Sequence, residues 1–254
     1  MAFKKDSVMG TMVFIISLSL VCSFMITGTA EILKERKLVK KRDEVQQFVL
    51  KAADIAIDTD FREVFAARVQ PKIVNIESGE FVEQENILDF DERMAAINPD
   101  TSRKPKKDTA KIKTRADIVR IFEVFDESGK LTSVVMPIYG KGLWSMIYGY
   151  LAVEPDLNTI KNIVFYEHGE TPGIADFVTD PEWNALWQGK KLFDEQGKIA
   201  IKVVKGGAKA GDIHGIDGVS GATRTGLGIQ KAVEFWFGVE GYQTFLNRFA
   251  AEAK

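Results

Sequence analysis

The stretch Asp217-Gly218-Val219-Ser220-Gly221-Ala222-Thr223 puts one acid and two hydroxyls around two glycines, directly ahead of a long helical pattern. The glycines make a tight turn, and Ser220 or Thr223 is placed to cap the helix that follows. Free backbone N–H groups and the helix dipole at such a start also favour a phosphate, by roughly 0.3–1 kcal/mol from the dipole alone. Chemistry alone leaves two readings open, a capped helix start and an anion seat. The cap is the plainer.

Other arrangements fall short of known catalytic devices. Gly218-Val219-Ser220-Gly221-Ala222 approaches a nucleophile elbow, but Ala222 stands where its last glycine belongs. Gly226-Leu227-Gly228 lacks the third glycine of a dinucleotide fingerprint, and no Walker sequence occurs. His168 and His214 lie 46 residues apart, without metal-ligand spacing. The single cysteine, Cys22, excludes a disulfide framework and any cysteine-built zinc or iron–sulfur site. No catalytic residue and no metal site is expected.

The elements that must position these residues read as α+β. Residues 118–125 and 131–135 flank the turn Asp126-Glu127-Ser128-Gly129, a hairpin signature. Further strands are expected at 72–77, 145–153, 159–166 and 199–204. Residues 176–188, with Phe177, Trp183, Leu186 and Trp187, read as a helix broken at Pro181. Residues 223–253 read as a helical stretch interrupted by Gly238 and Gly241. Residues 31–58 look helical, as do Phe61, Val64, Phe65 and Val69 before Pro71 ends their pattern. Hairpins with helices around them imply an antiparallel sheet with flanking helices, not a doubly wound sheet.

Residues 7–30 carry no charge over 24 positions. As a helix this run spans roughly 36 Å at 1.5 Å per residue, enough for a hydrocarbon core of about 30 Å. A cleavable signal peptide is the alternative, with Lys4 and Lys5 as its basic head and Gly28-Thr29-Ala30 as its cleavage site. The apolar section is too long for that. Ser19, Ser23 and Thr27 recur every fourth residue, a stripe that suits close helix packing in lipid. Lys34, Arg36, Lys37, Lys40, Lys41 and Arg42 follow the span, and by the positive-inside rule they favour a cytoplasmic domain. The chain then divides into a short tail (1–6), which is cytoplasmic only if the main domain lies across the membrane, a transmembrane helix (7–30), a helical tether with a small lobe and charged linker (31–115), and a main domain (116–254).

With 254 residues, 34 Lys+Arg against 36 Asp+Glu and a net charge of −2, the chain can bury a core and is no general nucleic-acid binder. Seven basic residues and one acid lie between 103 and 115. No aromatic interleaves with them, so they read as a solvated linker.

Three stretches together carry a resemblance: Pro137-Ile138-Tyr139-Gly140-Lys141-Gly142-Leu143-Trp144-Ser145, His168-Gly169-Glu170-Thr171-Pro172-Gly173, and Ser220-Gly221-Ala222-Thr223 with Asp217 upstream. With the N-terminal span they resemble the C subunit of the sodium-translocating NADH:quinone reductase, over essentially the whole chain. Ile174 departs from the leucine expected after Thr-Pro-Gly. The resemblance implies an electron-carrying subunit of a membrane complex, with one FMN joined through its phosphate to the Thr223 hydroxyl. It implies a flavin transferase using FAD and magnesium as a partner, besides the other subunits and membrane lipid, and a periplasmic main domain on the bacterial inner membrane. Asp217, Ser220, Gly221 and Ala222 complete the attachment motif, and Trp144, His168, Glu170 and Thr171 are the implied flavin neighbours. Thr225 is a second hydroxyl two residues on. The alternatives are the G subunit of the related ferredoxin-linked reductase and a membrane-anchored scaffold without cofactor.

Overall fold

A computed structural model of the chain describes residues 8–57 and 59–252, so the expected tail 1–6 and residue 7 of the span lie outside it. The chain forms two compact units, residues 1–44 and 45–254. The first is helical over its described residues and belongs to α1 (Val8–Ala52), which is long and apolar enough to cross a membrane. Phe14, Leu20, Phe24 and Met25 are all exposed along it, as on a helix that faces lipid. The helix stops at Ala52, short of the expected 58, because Asp54 turns left-handed at φ 55°.

The second unit holds the remaining elements. Asp60 caps α2 (Phe61–Arg68), which leads into β1 (Val69–Asn75) and β2 (Phe81–Val82). A short 3-10 turn (Ile87–Asp89) and α3 (Glu92–Ile97) precede β3 (Ser102–Arg103) and β4 (Arg115–Ala116), which pair with each other. Four long strands follow: β5 (Ile118–Phe125), β6 (Leu131–Lys141), β7 (Met146–Val153) and β8 (Ile160–Glu167). After them come a second 3-10 turn (Asp176–Thr179) and α4 (Pro181–Ala185), parted near Pro181 as expected. A parallel pair, β9 (Lys202–Val204) and β10 (Gly215–Asp217), then delivers the chain to α5 (Thr223–Trp236) and α6 (Gln243–Glu252).

One antiparallel sheet, in the order β2-β1-β5-β6-β7-β8, organises the unit. Successive side chains alternate between its faces. Ile121, Met136, Ile138 and Leu151 face a core with Trp187, Trp236, Tyr242 and Phe245. Phe122, Val124, Val135 and Tyr150 face the other way, onto Val49, Leu50 and Phe65.

Three expectations are corrected here. Residues 31–115 contain no separate small lobe, because β1 pairs along its whole length with β5 and so belongs to the same sheet as the main domain. Pro71 does not end an element; it sits inside β1 opposite Phe122 and short of the two residues that pair with β2, where a missing N–H is tolerated. Nor is 103–115 a solvated linker. Arg115 and Ala110 are buried, Asp108 accepts the Ile112 and Lys113 N–H groups, and Glu240 accepts those of Lys106 and Lys107.

Strand β6 runs on to Lys141, beyond the expected 135. Pro137 fits because it lies past Val135, the last β6 residue paired with β5. This extension carries α5. Trp236 Nε1 donates to the Tyr139 carbonyl at 2.8 Å, and the Tyr242 hydroxyl donates to that of Pro137 at 2.7 Å. Gly228 lies so close that a Cβ there would stand 2.6 Å from the Lys141 carbonyl oxygen. The start of α5 is thereby held beside the β6–β7 turn.

Candidate functional site

The motif 217–223 leaves β10 through a glycine corner. Gly218 N–H donates to the Val204 carbonyl at 2.9 Å, and a Cβ at Gly218 would meet that same oxygen at 2.9 Å. Gly221 takes φ 84°, the left-handed region that favours glycine. Neither Ser220 nor Thr223 caps α5. The N-cap position falls on Ala222, which offers no side-chain acceptor, and Thr223 is the first helical residue. The cap reading is corrected accordingly: the hydroxyls of Ser220 and Thr223 are not committed to the helix, and both residues are exposed.

Asp217 Oδ1 accepts the Ala208 N–H at 2.6 Å and so ties down the glycine-rich loop 205–211, while its backbone carbonyl accepts from Trp183 Nε1 at 2.8 Å.

Two hollows flank Thr223. One, of about 400 Å³, is walled by Leu143, Trp144, Thr171 and Ile174 on one side and residues 221–225 on the other, with Glu170 and Ala175 also lining it. The second, of about 610 Å³, lies among Val203, Lys205, Gly206, residues 218–222 and Leu227. Gly221, Ala222 and Thr223 belong to both. A larger hollow of about 930 Å³ between α2 and the β5–β6 hairpin contains none of the expected site residues.

Glu170 and Thr225 decide which groups remain available. Glu170, only 4% exposed, accepts the N–H groups of Leu143, Trp144 and Ser145 at 2.9–3.0 Å, together with the Ser145 hydroxyl at 3.2 Å. The Thr225 hydroxyl donates to Glu170 Oε2 at 2.7 Å, and Thr225 is 2% exposed. Burial alone raises the Glu170 pKa, but the hydrogen bonds from Ser145, Thr225, Trp144 and Leu143 outweigh it and hold the carboxyl down to about 2. Trp144 is not a core residue; it is 66% exposed. His168 lines neither hollow, and its Nδ1 accepts the Glu170 N–H at 3.3 Å.

The sequence reading missed Leu143, Ala175 and Arg224 as cavity residues, and Ser145 as a link. The Ser145 hydroxyl accepts the Gly169 N–H at 2.7 Å and so joins the two loops. Leu143-Trp144, an apolar pair between a glycine and a serine in a turn, is the local signal that marks an exposed apolar wall.

A family model described as FMN-binding domain matches residues 142–238, from the β6–β7 turn to the end of α5. The C subunit of the Na(+)-translocating NADH-quinone reductase of Haemophilus ducreyi is 41% identical over 254 residues, covering 99% of this chain and 98% of its own. This chain belongs to that C-subunit family. The Vibrio parahaemolyticus relative of the same name is 42% identical over 255 residues, 98% of this chain and 97% of its own. The crystal structure of Shewanella oneidensis NqrC superposes with a TM-score of 0.82 at 65% identity, covering 84% of this chain and 99% of that one. The C subunit from Parabacteroides distasonis gives 0.64 at 26% identity, over 83% and 94% of the two chains. Full-length matches to C subunits take precedence over the G-subunit alternative, and the FMN-binding domain over the cofactor-free scaffold.

For a chain of this family the residues present fit a flavin mononucleotide. The smaller hollow offers apolar walls from Leu143, Trp144 and Ile174, and an uncommitted hydroxyl stands at its rim. Helix N–H groups lie behind that hydroxyl to meet a phosphate.

Proposed function

We propose that this chain is the electron-carrying C subunit of a sodium-translocating NADH:quinone reductase, with one FMN held as a phosphoester on Thr223. The observation that carries the reading is the contrast between two threonines two residues apart. Thr225 is buried and its hydroxyl is committed to Glu170, whereas Thr223 is exposed on the rim shared by both hollows. When bound, FMN supplies a centre that accepts and releases electrons. Thr223 would anchor its phosphate at the start of α5, Asp217 holds the neighbouring glycine loop in place, and Ser220, Gly221 and Ala222 would shape the approach. Trp144, Thr171 and Ile174 would line the seat for its ring. A covalent tether suits a carrier whose seat is this open, since the flavin stays put between partners.

Attachment requires a transferase that, with magnesium, breaks the pyrophosphate of FAD, so that the Thr223 hydroxyl loses its proton and takes the FMN phosphoryl group while AMP leaves. That partner, the other reductase subunits and membrane lipid complete the set. We assign the main domain to the periplasm on the family resemblance, against the charge of the residues after the span, which long domains can override. Ser19, Ser23 and Thr27 then pack against neighbouring membrane helices. Full-length protein expressed with the transferase should keep a flavin spectrum through denaturation and precipitation, and protein expressed without it should not. A colourless product in both cases would refute the assignment.

A further inference from the structure

The turn between β6 and β7, residues 142–145, closes on itself through the Gly142 N–H and the Ser145 carbonyl at 2.9 Å. Its next three N–H groups point into one carboxylate, that of Glu170. Successive backbone N–H groups of this kind form a nest for an anion, and here the anion is built into the chain. The fit is tight: a Cβ at Gly142 would lie 2.8 Å from Glu170 Oε1, on a carboxylate that its hydrogen bonds hold in place. Glu170 Oε2, which takes the Leu143 N–H, also accepts the Thr225 hydroxyl from α5. One side chain thus joins the β6–β7 turn, its own loop and the helix that begins at Thr223. Trp144, at the middle of the turn, is thrown outward: of the four tryptophans it alone is exposed, while Trp183, Trp187 and Trp236 are buried.

We propose that Glu170 is a positioning residue, whose carboxylate fills the 143–145 nest and engages Thr225 so that the exposed Trp144 indole stands as a fixed wall over the flavin seat next to Thr223. The proposal rests on the reading that flavin occupies this seat. It assigns Glu170 no contact with flavin, since its oxygens are already taken by the turn and the helix. Glu170→Gln replaces one acceptor oxygen with an amide that faces the Leu143 N–H or the Trp144 and Ser145 N–H groups, so the nest cannot be satisfied.

The test uses the full-length chain, made with and without its flavin transferase. In the flavin-free protein, Glu170→Gln should speed hydrogen exchange at 143–145 by roughly tenfold to a hundredfold, the scale of a lost charge-assisted hydrogen bond. In the loaded protein it should change the visible circular dichroism of the flavin and reduce the quenching of Trp144 fluorescence, with the flavin still on Thr223. Thr225→Val should move the same signals in the same direction, and Thr225→Ser, which keeps the hydroxyl, should restore them. That pair decides the matter should Glu170→Gln fail to fold. Unchanged exchange at 143–145, or faster exchange with an unaltered flavin signal, would overturn the proposal. Wild-type protein with no flavin on Thr223 refutes the phosphoester reading instead, and shows itself before any variant is compared.

Discussion

Two glycines in α5, Gly226 and Gly228, offer a controlled perturbation of the packing that brings Thr223 to its cavity. Replacing either with alanine stiffens the helix equally, a gain of about 1 kcal/mol from propensity. The surroundings differ. A Cβ at Gly228 would stand 2.6 Å from the Lys141 carbonyl oxygen and 2.9 Å from Gly142 Cα, both backbone atoms at the end of β6. A Cβ at Gly226 would meet only the Val203 Cγ1 methyl, at 3.1 Å, on a half-buried side chain that can yield. Overpacking against unyielding atoms costs about 1–3 kcal/mol. The propensity gain cancels between the variants, so Gly228→Ala should be less stable than Gly226→Ala by about that amount. For a unit of this size the melting temperatures should differ by roughly 2–12 °C. Thermal melts of the full-length chain in detergent, followed by tryptophan fluorescence, measure it. Gly228→Ala melting at or above Gly226→Ala would refute the reasoning, and with it the claim that backbone contact between α5 and β6 sets the position of Thr223.

Because the Glu170 pKa is depressed in the folded state, its contribution to stability is present in full above its unfolded value of about 4.3 and is lost as pH falls towards 2. The stability gap between wild type and Glu170→Gln should therefore be flat from pH 8 to about 5 and shrink below about 4, as read by chemical denaturation at each pH. Arg120 is 2% exposed, donates to the Ile87 and Leu88 carbonyls, and lies 3.3 Å from Glu92. Arg120→Ala should cost about 1–3 kcal/mol in denaturant titrations, because it leaves two half-buried carbonyls without their donor and removes the cation beside Glu92. Asp217→Ala should free the Ala208 N–H, so that exchange in 205–211 accelerates and flavin loading by intact mass falls, with the attachment site unmoved.

Local pattern carried the sequence reading far where elements are held by near neighbours. The turn Asp126-Glu127-Ser128-Gly129 does join β5 to β6, and Pro181 and Gly238 do interrupt their helices, since turn and breaker residues act within a few positions. The helix cap at Ala222 and the helix end at Ala52 were misread locally, but the larger misreadings involve partners distant in sequence. Nothing near Val69–Asn75 announces that it pairs with Ile118–Phe125, so the intervening chain looked like a lobe and a linker. The basic run 103–115 is ordered by Glu240, more than 120 residues away, and a net of lysines gives no hint of it. At the site, the glycine corner and the start of α5 were legible because their residues are contiguous. The role of Glu170 was not, because its partners Leu143, Trp144, Ser145 and Thr225 come from 25 to 55 residues away.

Trypsin cleaves after Lys209 and Arg224, which puts Thr223 and Thr225 on separate peptides, 210–224 and 225–231. Mass analysis of the digest from protein made with its flavin transferase locates the flavin directly. Peptide 210–224 should be heavier by FMN less one water, with fragmentation placing the increment on Thr223 rather than Ser220, and Thr223→Val should return that peptide to its bare mass. An increment on 225–231, or one that survives in Thr223→Val, would contradict the assignment.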